Sequence, residues 1–337
     1  MIYSYSRRPV KIIKKSLIYF HDFFSTLFYR LFSGSHAGIE KYDLKPCQVY
    51  PKGKNLKPDF LILNDFDSFQ PFIKKSDFLC SIGSCFAEEI KPYLVEKGYH
   101  YLQLEKSRWF SCDWGRVYTS ANLKQVMQYS FGIKNFKNRV WTTQRGYEDS
   151  LRDYAIENPY FKLKEDLEKN ISTHTIFSRQ TFLEAQIIIV TLGVNEGWID
   201  SEGIVSGRMP PLEDIKSGKY KLANLSVSEN YENIEGALKI LWQCHQNVKV
   251  IFTLSPVPAF ATFEQENVAS TSFENKAKIL LAIKQITSKY EEQSYYFPSF
   301  EMVYCAMRSP WKYDNRHIKK INVHQIMRNF ENLYCVN

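Results

Sequence analysis

The stretch Asp77-Phe-Leu-Cys-Ser-Ile-Gly-Ser-Cys-Phe-Ala87, DFLCSIGSCFA, decides the fold. Its first half, Asp77 to Ser81, is a short apolar run that ends at Gly83, with the length and composition of a buried strand. From Cys85 to Lys97 the period changes. Phe86, Ile90, Tyr93 and Leu94 recur at helical spacing, Glu88 and Glu89 suit a positive first turn, and Gly98 suits the stop. Pro92 argues for a kink in that helix. The same alternation recurs downstream. Strands are expected at Tyr99 to Leu104, Gln186 to Leu192, Val248 to Leu254 and Tyr295 to Val303, and helices at Asn230 to His245, Glu274 to Tyr290 and about Val323 to Leu333. This βαβ series predicts an α/β fold with a mainly parallel sheet covered on both faces.

Two connections, at about 105–185 and 200–229, are too long for simple crossovers. They are expected to carry small elements of their own and to shape a substrate site, or else to be decoration without function. The 337 residues carry 44 Lys plus Arg and 36 Asp plus Glu, a formal net charge of +8. Arg7, Arg8, Lys11, Lys14, Lys15 and Arg30 stand against only Asp22 in residues 1–35, so that segment holds +5 of the total. Residues 1–35 therefore read as a basic, aromatic-rich extension ahead of a domain at 36–337. The extension suits either a membrane interface or packing on a protein surface. Its apolar stretch is broken by His21, Asp22 and Arg30 and has no small-residue cleavage site, so neither a signal peptide nor a spanning helix is expected, and the protein is placed in the cytoplasm. The nearly balanced remainder argues against nucleic acid as a partner. The seven scattered cysteines form no C-x-x-C pair and predict neither a disulfide framework nor a zinc site.

Ser84 follows Gly83 where strand gives way to helix, at the carboxyl edge of a parallel sheet. A serine there can be a helix cap or a nucleophile, and a nucleophile needs a base and oxyanion donors. Two later segments supply candidates. Gly193-Val194-Asn195-Glu196 places an amide at the end of a second strand, and Asp314-Asn315-Arg316-His317 sets a carboxylate three residues before an imidazole, ahead of the last helix. Asp314 can hold one ring nitrogen of His317 and leave the other to take the serine proton. Cys85 reads as either a packed thiol or a thiolate near a helix start. Arg108, Trp109 and Arg116, in a cluster of cations and aromatics with Lys106, could hold a sugar or an acidic group, or be solvated surface; Glu196 is placed either to hold its loop or to meet substrate. There is no G-x-S-x-G, H-E-x-x-H, P-loop or G-x-G-x-x-G sequence, so no metal, nucleotide or dinucleotide is expected.

Residues 83–87, Gly-Ser-Cys-Phe-Ala, resemble the naming motif of the GSCFA-domain family, as do Trp114 to Thr119, Thr191 to Trp198, Ser255-Pro256-Val257-Pro258 and Tyr296 to Glu301. That family is similar to the SGNH, or GDSL-like, hydrolases. The resemblance spans roughly residues 60–330 and implies a three-layer α/β/α sandwich with a flavodoxin-like sheet. It further implies Ser84 as nucleophile, His317 as base, Asp314 as its orienting partner, and Gly115, Asn195 and the Ser84 N–H as oxyanion donors. Asn275-Lys276-Ala277 stands where the family pattern has Ser-Lys-Ala. The implied chemistry is that of an O-acetyl esterase or O-acetyltransferase acting on a carbohydrate, with no cofactor beyond an acyl donor such as acetyl-CoA for a transferase. A non-catalytic glycan-binding or assembly protein on the same fold is the competing expectation.

Overall fold

In a computed structural model, the described residues are 44, 48–51, 56–62, 69–107, 109–137, 139–153 and 160–336. The basic extension at 1–35 and Arg108 lie outside them. Strand β1 (Leu79–Gly83) leads through one 3-10 turn at Ala87–Glu89 into α1 (Ile90–Glu96). Pro92 falls in the first turn of α1, where its missing N–H has no intrahelical partner to lose, so the expected kink is instead a change from 3-10 to α geometry. The first long connection holds α2 (Ser120–Ser130), a hairpin of β2 (Val140–Thr143) and β3 (Gly146–Asp149), and the 21-residue α3 (Lys164–Glu184). Then come β4 (Ile187–Leu192), a second hairpin of β5 (Glu196–Asp200) and β6 (Tyr220–Asn224) with the short α4 (Leu212–Lys216) between its strands, and α5 (Val227–Cys244). The chain closes with β7 (Lys249–Leu254), α6 (Val268–Lys289), β8 (Ser294–Phe297) and α7 (Lys320–Tyr334).

The central sheet has the order β1-β4-β7-β8, and every pairing is parallel. All residues of β1 and β4 are buried, which requires cover on both faces. Helix α5 packs between α2 and α6, while α1 meets α7 through Tyr93, whose hydroxyl donates to Glu331 at 2.6 Å. With the sheet between helices, the result is a three-layer α/β/α sandwich. Two expected strands are shorter than the sequence suggests. Tyr99–Leu104 reduces to a single parallel bridge between Tyr101 and Leu79, which places Tyr101 on the free edge of β1 and completes a flavodoxin-like order. The strand expected at Tyr295–Val303 ends at Phe297, because Pro298 cannot extend the ladder and Ser299 begins a helical turn. Among the described residues, no helix is long and apolar enough to cross a membrane. Pro51–Asn337 form one compact unit.

The first connection is held by buried polar contacts. Arg139 forks onto Asp149 at 2.9 and 2.7 Å, and Arg152 adds a third contact at 2.7 Å. Glu105 Oε2 accepts from the Cys112 thiol, the Asp113 N–H and His174 Nδ1, each at 2.7 Å, and the Tyr129 hydroxyl lies 3.1 Å from His174 Nε2. Burial, aided by Arg152, lowers the His174 pKa to about 4 despite Glu105, while the His174, Cys112 and Asp113 contacts, outweighing burial, bring Glu105 to about 2. Between pH 6.5 and about 4 the unfolded chain binds a proton at residue 174 that the folded chain refuses, so stability is lost as the pH is lowered through that window, on the order of 3 kcal/mol in all. Denaturant unfolding across that window should show this loss in the wild type and a flatter profile in His174→Gln; parallel profiles would contradict it.

Candidate active site

At the carboxyl edge of the sheet, β1 and β4 finish side by side, Gly83 opposite Thr191. Gly83 has φ +147°, and a Cβ built on it would lie 2.2 Å from the Thr191 carbonyl oxygen. Only glycine allows the two strand ends to approach this closely. Ser84 therefore leaves the sheet in a fixed direction. Its N–H donates to the Thr191 carbonyl and is 3.0 Å from Thr191 Oγ1 as well, and its own Oγ meets that hydroxyl at 3.2 Å.

Ser84 lines a cavity of about 460 Å³, together with Cys85, Arg116, Lys276, Arg316 and His317. The two long connections supply further walls, through Tyr118 and Thr119 on one side and Ser206, Arg208 and Met209 on another. His317 sits on a tight loop in which Asn315 takes φ +54°, a left-handed conformation that asparagine tolerates. Asp314 accepts a bond from Nδ1 of His317 and, through its other oxygen, from the His317 N–H at 3.0 Å and the Arg316 N–H at 3.1 Å. These contacts hold the Asp314 carboxyl well below the usual carboxylate range. Nε2 of the ring is left without a protein partner among the described residues. No hydrogen bond joins Ser84 Oγ to His317, since Oγ is turned to Thr191 and lies 3.4 Å from the Phe86 N–H.

The expected oxyanion donors are not brought together. Asn195 is fully buried: its amide donates to the Asn275 carbonyl at 3.1 Å and its oxygen accepts from Asn230 at 2.9 Å. It is a structural link between β4, α5 and α6 and does not line the cavity. Gly115, at φ +67°, is packed against the Asp153 backbone, where a Cβ would lie 2.2 Å from the carbonyl oxygen, and it too is absent from the wall. The Ser84 N–H is taken by Thr191. Of the expected binding residues, Arg116 and Glu196 line the cavity; Trp109 does not, and Arg108 is outside the described residues. Glu196 is held by the Thr262 hydroxyl at 2.8 Å and the Phe263 N–H at 2.9 Å. Burial and Glu88 push the Cys85 thiol pKa up, so a thiolate is disfavoured there, although the residue does line the cavity.

Lys276, to which the Asn275-Lys276-Ala277 segment gave no role in the sequence, lines the same cavity. It is buried to 2% exposure, donates to the Gly193 carbonyl at 2.8 Å and the Val257 carbonyl at 3.1 Å, and has no carboxylate partner among the described residues. Burial lowers its pKa to about 7. The signal lies in helical spacing, because Ser272, Lys276, Ile279 and Ile283 share one buried stripe of α6. The Ser-Pro-Val-Pro segment now has a purpose: Val257 offers its carbonyl to Lys276, and Pro258 offers its carbonyl to Arg316 at 3.1 Å.

Glu105, Cys112 and His174 present an oxygen, a sulfur and a nitrogen within 4.8 Å of one another, a donor set that zinc accepts. They contact each other directly, as described above, and do not line the cavity of Ser84. The model of the GSCFA family matches residues 78–330, about three-quarters of the chain. No curated protein matches.

Proposed function

The chain belongs to the GSCFA family, and from that premise we propose that it performs serine-dependent acyl-ester chemistry, as an O-acetyl esterase or O-acetyltransferase of the SGNH type acting on a carbohydrate. The single observation that carries this reading is the placement of Ser84 in one cavity with a His317 ring already oriented by Asp314. The reading requires Oγ to turn from Thr191 toward the ring by rotation about the Ser84 side-chain bond. Oγ then attacks the ester carbonyl and its proton passes to His317 Nε2; the carbonyl carbon's bond to the leaving alcohol breaks as that alcohol receives the proton. Water completes an esterase cycle, and a sugar hydroxyl completes a transferase cycle.

The test is incubation with an activated acetyl ester and a sugar acceptor, followed by quantitation of acetate and acetylated sugar. Either product is expected above the level seen with Ser84→Ala, and their ratio distinguishes hydrolase from transferase. Ester consumption no faster than with Ser84→Ala would contradict the reading. One observation favours the second reading, a non-catalytic glycan-binding or assembly protein: the Asn195 amide and the Ser84 N–H are already committed to Asn275 and Thr191.

A further inference from the structure

Among the described residues, four cations line the cavity of Ser84, and they are not equivalent. Arg116 is paired with Glu88, and Arg208 is paired with Glu148. Lys276 and Arg316 have no carboxylate partner among the described residues. Lys276 gives two N–H groups to the Gly193 and Val257 carbonyls, which leaves a third, and the guanidinium of Arg316 donates, among the described residues, only to the Pro258 carbonyl while lying 5.2 Å from the centre of the Phe260 ring. Cys85, which adjoins Ser84, lies within electrostatic reach of both and of Arg116, with the Glu88 carboxylate acting on its thiol in the opposite sense. The one carboxylate among the lining residues, Glu196, is held by Thr262 and Phe263. An ammonium buried with only carbonyl dipoles for company is costly, and a bound anion compensates that cost in a water-poor site.

We propose that the substrate carries a fixed anionic group, a carboxylate, sulfate or phosphate on the acylated sugar, a few atoms from the scissile ester, and that Lys276 and Arg316 bind it. This rests on the acyl-transfer reading of Ser84 and adds the substrate's charge. Recognition by two cations sets the ester carbonyl against Ser84 Oγ, so that binding of the anion orients the reacting bond.

The experiment compares matched acetyl esters that differ only in charge: acetylated methyl glucuronide as free acid and as neutral methyl ester, and acetylated glucose with and without a 6-sulfate or 6-phosphate. At least one anionic ester should exceed its neutral counterpart about tenfold in kcat/KM, the factor for one charge-assisted hydrogen bond. Lys276→Met and Arg316→Met should each remove most of that preference, read as the ratio of kcat/KM on the anionic ester to that on its neutral counterpart. Calorimetric titration of Ser84→Ala with the same pairs reads the preference without turnover. Equal binding of charged and neutral ligands overturns the proposal, as does an equal loss by both variants on both esters, which would mean that the cations serve the reaction's own oxyanion. Anion-selective binding with no turnover of any ester would retain the proposed ligand class and defeat the acyl-transfer reading alone.

Discussion

Under the proposed acyl-transfer reading, ester cleavage by Ser84→Ala is expected to fall at least about a thousandfold below the wild type, and His317→Ala by a comparable factor. The two losses do not multiply in the double variant, because a nucleophile without its base, or a base without its nucleophile, already lacks the same proton-coupled attack. Independent contributions would instead give the product of the two factors, and that outcome would separate His317 from Ser84 functionally despite their common cavity. Stability is a control here. Ser84→Ala removes two long hydroxyl contacts, with Thr191 at 3.2 Å and from the Phe86 N–H at 3.4 Å, together worth about 1–2 kcal/mol, so the variant is expected to remain folded when its activity is gone. A near-normal rate in either variant, measured on an activated acetyl ester, would contradict the assignment.

Gly83→Ala is expected to cost at least about 4 kcal/mol of stability, more than any surface change in this chain. Two effects combine. The φ of +147° is a region that L side chains rarely adopt, and the new Cβ would meet the Thr191 carbonyl oxygen at 2.2 Å, its hydroxyl at 2.4 Å and its nitrogen at 2.7 Å. All three atoms sit on a buried strand and cannot retreat without parting β1 from β4, the pairing that aims Ser84. Gly98→Ala provides the contrast. Gly98 has φ +78° but nothing within 4 Å of where the added methyl would sit, so only the backbone conformation opposes the change and about 1 kcal/mol is expected. Denaturant unfolding of the two variants measures the difference; equal costs would mean that close approach of the strand ends is not what requires glycine at Gly83.

How much of the molecule is legible in the sequence varies with the physics of each element. The strands at Ile187–Leu192 and Lys249–Leu254 announce themselves because they are buried on both faces and so read as unbroken apolar runs. Helix α3 does not. Its buried positions include His174, Ser178 and Thr181, which bond to Glu105, Trp114 and the Phe177 carbonyl, and apolar periodicity is blind to a face packed through hydrogen bonds. The local geometry around Ser84, Asp314 and His317 is legible because it is set by near neighbours: a glycine-enabled turn at a strand end and a carboxylate three residues before a ring. The surroundings of Asn195 are not legible, for the opposite reason. Its place at the end of β4 is local, but the direction of its amide is set by Asn230 and Asn275, from α5 and α6. The burial of Lys276 shows only in the stripe it shares on α6, and its environment depends on carbonyls from Gly193 and Val257, distant from it along the chain.

Covalent labelling with a fluorophosphonate probe tests most directly whether Ser84 is a nucleophile activated by His317. The expected result is one adduct, mapped by mass spectrometry to Ser84, absent from Ser84→Ala and slowed at least about a hundredfold in His317→Ala. A folded wild-type protein that takes no label, or a His317→Ala variant that labels at the wild-type rate, would contradict it.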